Sequence, residues 1–192
     1  MAEKNATIAF AQKEFDGATY LPPLHGLAKE LAHHRGLASA VLRGETSLQG
    51  QLSEAARGVE QQLAAAEAQD RQENRQTGLT YGALLQTAGK LRALRQKWNL
   101  LKDKTAKAAA RENFDEHTQL IAEVNDLIIH AGDTSNLILD PDLDTYYLMD
   151  AVIIQIPRLA EEVGRLRGLG AGLAVAKKAM PEEFAQVTTF LG

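Results

Sequence analysis

The chain has 192 residues, with 21 Lys and Arg against 25 Asp and Glu and no cysteine. That length can bury a real core in one or two domains, and a formal charge of −4 offers no basic face for general nucleic-acid binding. The lack of thiols excludes disulfides, thiol catalysis and zinc–thiolate sites. Hydrophobic residues make up 45%, much of it Ala and Leu, and aromatics only 5%, which suits packed helices better than a sheet. No apolar run is long enough to span a bilayer, and the opening MAEKNATIAF lacks the basic segment and apolar core of a signal peptide.

A first helix is predicted from Thr7 to Arg43, because Ile8, Ala11, Phe15, Leu24, Leu27, Leu31, Ala38 and Leu42 keep a helical period. Unbroken, it would be about 55 Å long. Pro22 and Pro23 interrupt it, so a kink or break is expected near Tyr20–Leu21. Gly44 ends it. A second helix follows over Ser47–Gln76, with Leu48, Leu52, Ala55, Val59 and Leu63 inward and a charged end, AAAEAQDRQENRQ, read as a solvated face. Gly78 breaks the chain again. A third helix over Thr80–Ala106 carries Leu84, Leu85, Ala88, Leu91, Leu94, Trp98 and Leu101 on one stripe.

A fourth helix is expected to start at Asn113, which with Glu116 has the spacing of a capping box. Leu120, Ile121, Val124, Leu127 and Ile128 form its stripe, and Gly132 ends it. The fifth helix has the clearest start. Asp140 is a good N-cap, Pro141 suits the first helical position, and Asp142 and Asp144 complement the dipole. It runs to about Arg167, with a kink expected at Pro157. The Gly-rich LRGLGAGLAVAKK should loosen the chain, before a last helix opening at Pro181.

Motifs for chemistry are few. Asp140, Asp142 and Asp144 open like a calcium loop, but Thr145 stands where glycine is needed and Ala151 where a bidentate acid is needed. Glu30–His33 and Asp126–His130 each share a helix face, which falls short of a di-iron set. No serine sits in an elbow motif, and Gly168–Gly170 follows a helix rather than a strand, so no dinucleotide loop is read. No catalytic residue, metal site or cofactor is expected.

Polar residues on apolar faces are the informative exceptions, because a buried charge must find a partner, water or a ligand. Helical spacing puts Leu143, Tyr146, Asp150, Ile153 and Pro157 on one face, where Tyr146 and Tyr147 could line a pocket beside Asp150. Arg35 lies between apolar Leu31 and Ala38, and its five fixed donors suit carboxylates or nitrate-like oxyanions. Its plain alternative is a structural ion pair, with Asp150 a candidate partner. Gly36 beside it would let another backbone approach. Trp98 is read first as core and second as a ligand contact; Asn136, Arg95 and Asn99 are weaker candidates.

Three stretches, AFAQKEFDGATYLPPL at Ala9–Leu24, HHRGLASAVLRGE at His33–Glu45 and LDPDLDTYYLMD at Leu139–Asp150, resemble in content and order the helical sensor regions of bacterial transmembrane receptors, both sensor histidine kinases and methyl-accepting chemotaxis receptors. The resemblance implies a single domain over 1–192, an all-α, elongated antiparallel bundle of about five helices. The chain would be an excised ectodomain on the periplasmic side, with flanking membrane helices and final helices left out. It implies a small-molecule ligand, an organic acid or other anion, held between helices, for which the polar residues on apolar faces make Arg35, Trp98, Asn136, Tyr146, Tyr147 and Asp150 the candidates. It also implies a homodimer, with helix one expected at the interface, and a signal carried by helix displacement. A histidine kinase parent is the first expectation and a chemoreceptor the second. The alternative from another class is a structural helical dimerisation module without a small ligand.

Overall fold

The computed structural model describes residues 2–139 and 143–176. It is an all-α bundle of five long rods. α1 is Ala2–Leu42, α2 Gln49–Arg71, and α3 Tyr81–Leu84 is a single turn before α4, Ala88–Thr105. α5 is Ala110–Thr134, and α6 (Leu143–Asp150) joins α7 (Ile156–Ala176) through a π-turn at Ala151–Gln155. Among the described residues there is no strand, only an isolated bridge between Glu73 and Thr80. The expected N-cap at Asp140, with Pro141 and Asp142, and the last helix from Pro181 lie outside the described residues.

α1 is the axis. It packs chiefly on α5 and α2, then on α7. A Cβ on Gly58 would meet Glu30, and one on Gly26 would meet Gln62, so α2 runs antiparallel to α1. A Cβ on Gly164 would meet Arg35 and one on Gly172 would meet Ser39 and Arg43, so α7 runs parallel to it. The core joins Tyr20, Leu24, Leu27 and Leu31 of α1 to Val59 and Leu63 of α2, Leu91, Leu94 and Trp98 of α4, and Ile121, Val124, Leu127 and Ile128 of α5.

The end of α1 is built as the sequence indicates. Gly44 takes φ +110, while Glu45 N–H donates to Ala40 O at 3.1 Å and Gly44 N–H to Val41 O at 3.0 Å, the paired bonds of a Schellman motif. Five expectations are corrected. Of the kink or break expected at Pro22 and Pro23, the break does not occur: α1 is one helix through both, Tyr20, Leu21 and Leu24 are buried on either side, and packing along this face outweighs the lost backbone bond. α2 stops at Arg71, and its charged end is not simply solvated. Tyr20 Oη and Thr87 Oγ1 donate to Asp70 at 2.9 and 2.6 Å, and buried Asn74 donates to buried Asp16 at 2.6 Å.

The third helix is divided at Leu85–Thr87, where Gln86 has φ +56. α5 starts at Ala110 rather than Asn113; Asn113 is fully buried inside it and donates from Nδ2 to Thr105 Oγ1 at 3.1 Å, so its amide serves the core and not a cap. Lastly, the Gly-rich segment is helical to Ala176. Gly164, Gly168 and Gly172, four residues apart, are buried against α1 and α5, and a Cβ on Gly168 would come within 2.9 Å of Phe114. Glycine here brings α7 close to α1 at the cost of some helix propensity. Gly36, by contrast, has nothing within 4 Å of where its own Cβ would stand.

The π-turn is the response to Pro157. Ile156 N–H bonds back five residues, to Ala151 O. The wider turn relieves the clash of a proline ring with the carbonyl four residues earlier. It also inserts one residue into the helical period, which rotates α6 relative to α7. Ile153 and Pro157 are therefore buried, while Leu143, Tyr146 and Tyr147 are exposed.

Candidate functional site

Among the described residues Arg35 is the largest buried charged side chain, with none of its surface exposed. It leaves α1 toward α7, where Glu161 accepts from Nη1 at 2.5 Å and from Nη2 at 3.0 Å, a bidentate fork. Nη1 also donates to Thr118 Oγ1 of α5 at 2.9 Å, and the guanidinium lies 4.9 Å from the centre of the Phe114 ring. Its Nε is buried with no hydrogen-bond partner. One cation thus ties together α1, α5 and α7 while keeping an unused donor.

The preceding residue extends the polar core. His34 Nδ1 lies 2.7 Å from His117 Nε2, and His117 Nδ1 lies 2.7 Å from Asn113 O. A carbonyl only accepts, so neutral His117 carries its proton on Nδ1 and receives one from His34 Nδ1–H. Both rings are buried. Burial, with the neighbouring His117 and His33, pushes His34 down to about 3. Burial, opposed by the Asn113 carbonyl and helped by Arg35, pushes His117 down to about 4. Both are neutral at pH 7. Trp98 of α4 meets the His34 ring edge-on at 5.0 Å and donates from Nε1 to Glu60 at 2.9 Å.

Beside this cluster a groove of about 550 Å³ runs between α1 and α7 with α5 as its floor. Its polar lining includes His25, Lys29, Asn125, Glu161 and Arg167. Two of these residues carry an unsatisfied polar atom: His25 Nε2 and Asn125 Oδ1 are buried without a partner. Burial also lowers the His25 pKa. A Cβ on Gly164, in the groove wall, would stand 3.2 Å from Arg35 Nη2. The groove and the Arg35–Glu161 fork therefore share a wall, and the arrangement suits capture of a small planar anion. Among the described residues no group of three or more His, Asp or Glu could hold a metal ion.

The sequence-predicted site residues divide. Arg35 and Trp98 come together through His34. Tyr146 and Tyr147 are exposed, with rings 5.6 Å apart, and neither they nor Asp150 lines the groove. Asp150 accepts from Gln155 Nε2 at 3.2 Å, so the structural pairing of Arg35 with Asp150 is corrected: Glu161 holds Arg35. Asn136 has φ +67, a turn conformation asparagine tolerates, and accepts from Lys13 at 3.3 Å. Arg95 is paired with Glu67 at 2.8 Å and with Glu60, and Asn99 is exposed. Glu161 was missed, although it interrupts a small and apolar row, Ile153, Pro157, Gly164 and Gly168. The His34–His117 pair was legible only as two histidines far apart in sequence.

The chain is thus an all-helical bundle with a caged cation on its axial helix and a groove alongside. No curated protein and no solved structure matches the chain. The chain belongs to the nitrate and nitrite sensing (NIT) family, whose model matches residues 26–192. Domains of this family are extracytoplasmic helical sensor domains of bacterial receptors, given to sensing and not to catalysis. Among the described residues no helix is long and apolar enough to cross a membrane.

Proposed function

We propose that the chain is the periplasmic ligand-sensing ectodomain of a transmembrane signal-transduction receptor, and that its ligand is nitrate or nitrite, captured by Arg35. The observation that carries this reading is the fully buried guanidinium with a spare Nε donor, in a chain of the nitrate and nitrite sensing family. The Glu161 carboxylate stands for the oxyanion: two oxygens in one plane, received by the same fork.

Binding would exchange an intramolecular ion pair for a ligand contact. An anion that takes Glu161's place on Arg35 unlatches α7 from α1, and its differential affinity for the two packings shifts their populations. Displacement of helices then relays the signal. The parent is read first as a sensor histidine kinase and second as a methyl-accepting chemotaxis receptor, with the same ectodomain role in each; the domain works as a homodimer. Trp98, whose ring meets His34 edge-on, reports on the site more than it touches ligand.

A thermal-shift screen of nitrate, nitrite, small organic acids and chloride tests the reading. Saturation at a hundred times the dissociation constant adds about 2.7 kcal/mol of stability. A saturable rise with nitrate or nitrite that chloride does not reproduce is expected. A rise with organic acids alone would replace the ligand, and no rise with any anion would favour a helical dimerisation module.

A further inference from the structure

One face of α7, which also forms the outer wall of the groove between α1 and α7, is apolar and uncovered. Ile156, Leu159 and Val163 are 57%, 61% and 57% exposed. With half-buried Leu166 and exposed Gly170 they stand at alternating intervals of three and four residues. This is a heptad seam that begins after the π-turn: Ile156, Val163 and Gly170 take one core position and Leu159 and Leu166 the other. Such a stripe on a soluble domain marks an interaction surface.

We propose that this face pairs with the same face of a second copy of the chain, in parallel and in register. Two features select that occupant. β-Branched Ile156 and Val163 at the first core position with leucine at the second favour two strands over three or four in a parallel coiled coil. The flanking charges agree. Glu162 precedes Val163, and Arg167 follows Leu166, so in a parallel pair Glu162 of each copy faces Arg167 of the other. In an antiparallel pair flanking positions of the same kind face each other, so Glu162 would not meet Arg167. Both side chains are exposed on α7, and Glu162 has only a 3.4 Å contact with exposed Arg158 to give up.

The proposal moves the expected dimer contact from α1 to α7. α1 is flanked by α2, α5 and α7, whereas α7 leaves a full side open. The seam spans little over two heptads, so the pairing is weak and concentration-dependent. It goes beyond the anion reading but shares Ile156, Leu159, Val163 and Arg167 with the groove, and it couples to the same helix: Glu161, the partner of Arg35, adjoins Glu162.

The chain has no cysteine, so single-cysteine variants of the 192-residue protein give a clean test. Under mild oxidation Leu159→Cys and Leu166→Cys should each form a disulfide-linked dimer, while Arg158→Cys, one residue off the seam, should not. Sedimentation across a concentration series should show a dimer weakened at least tenfold by Val163→Asp. Glu162→Lys should weaken it, and adding Arg167→Glu should restore the wild-type constant to within about threefold. A monomer at all concentrations overturns the proposal. So does crosslinking at Arg158→Cys as fast as at Leu159→Cys, or at only one of the two leucine positions, which is what an antiparallel pair would give.

Discussion

Acid should loosen this bundle from the inside, through His34 and His117. Folded, the two imidazoles are held down to about 3 and about 4. Unfolded, each returns to its ordinary value near 6.5. A base depressed on folding contributes its full stability above the unfolded pKa, and loses it as pH falls toward the folded one. Between pH 7.5 and 5.5 the unfolded chain takes up protons that the native pair refuses, at a cost of about 1.4 kcal/mol per histidine and about 2.7 kcal/mol for both. The groups facing the pair do not rescue the charge: Arg35 repels a proton on His117 and His33 repels one on His34, as the causes of the shifts show. Urea unfolding followed by circular dichroism at the two pH values measures the loss. The double variant His34→Leu/His117→Leu removes both partners together and should lose about 2.7 kcal/mol less than wild type over the same interval. Proton NMR of the wild type should show two imidazoles that do not titrate above pH 5. Equal losses in wild type and variant, or two titrating core histidines, would refute the reasoning.

Packing makes further demands. A Cβ on Gly17 would fall 2.3 Å from Ser135 Cβ, and Ser135 is fully buried, so Gly17→Ala should cost about 1–3 kcal/mol in chemical unfolding. Gly36→Ala meets open space in the middle of α1 and should stabilise by about 0.5–1 kcal/mol; a loss would mean that this position must stay bare for helix approach. Leu127 is buried in the α5 core, and Leu127→Ala should cost about 2–5 kcal/mol, read from the denaturant midpoint.

How much of this was legible in the sequence depends on whether the signal was local. The rods followed from apolar periodicity, and the Schellman end of α1 followed from Gly44. The capping reading of Asn113 failed because Glu116 three residues on satisfies the same pattern whether Asn113 starts the helix or lies buried within it. The face drawn through Tyr146, Asp150 and Pro157 failed because a 3.6-residue period cannot anticipate the residue inserted at Ala151–Gln155. A polar residue on an apolar stripe correctly singled out Arg35, but periodicity within one helix cannot say which carboxylate it meets. Its partner lies 126 residues away on a helix whose glycines allow it that close. The glycines themselves read as a loose segment because their neighbours across the interface are equally remote.

The most direct test of the account is isothermal titration of nitrate into the wild-type chain, Arg35→Lys and Glu161→Gln. If an anion competes with Glu161 for the Arg35 fork, the three constants must order themselves. Arg35→Lys keeps the charge but loses the planar fork, and should weaken binding at least tenfold, about 1.4 kcal/mol. Glu161→Gln removes the competing charge and should tighten binding while lowering the stability of the free domain. No binding to the wild type, or equal binding to wild type and Arg35→Lys, would contradict the account.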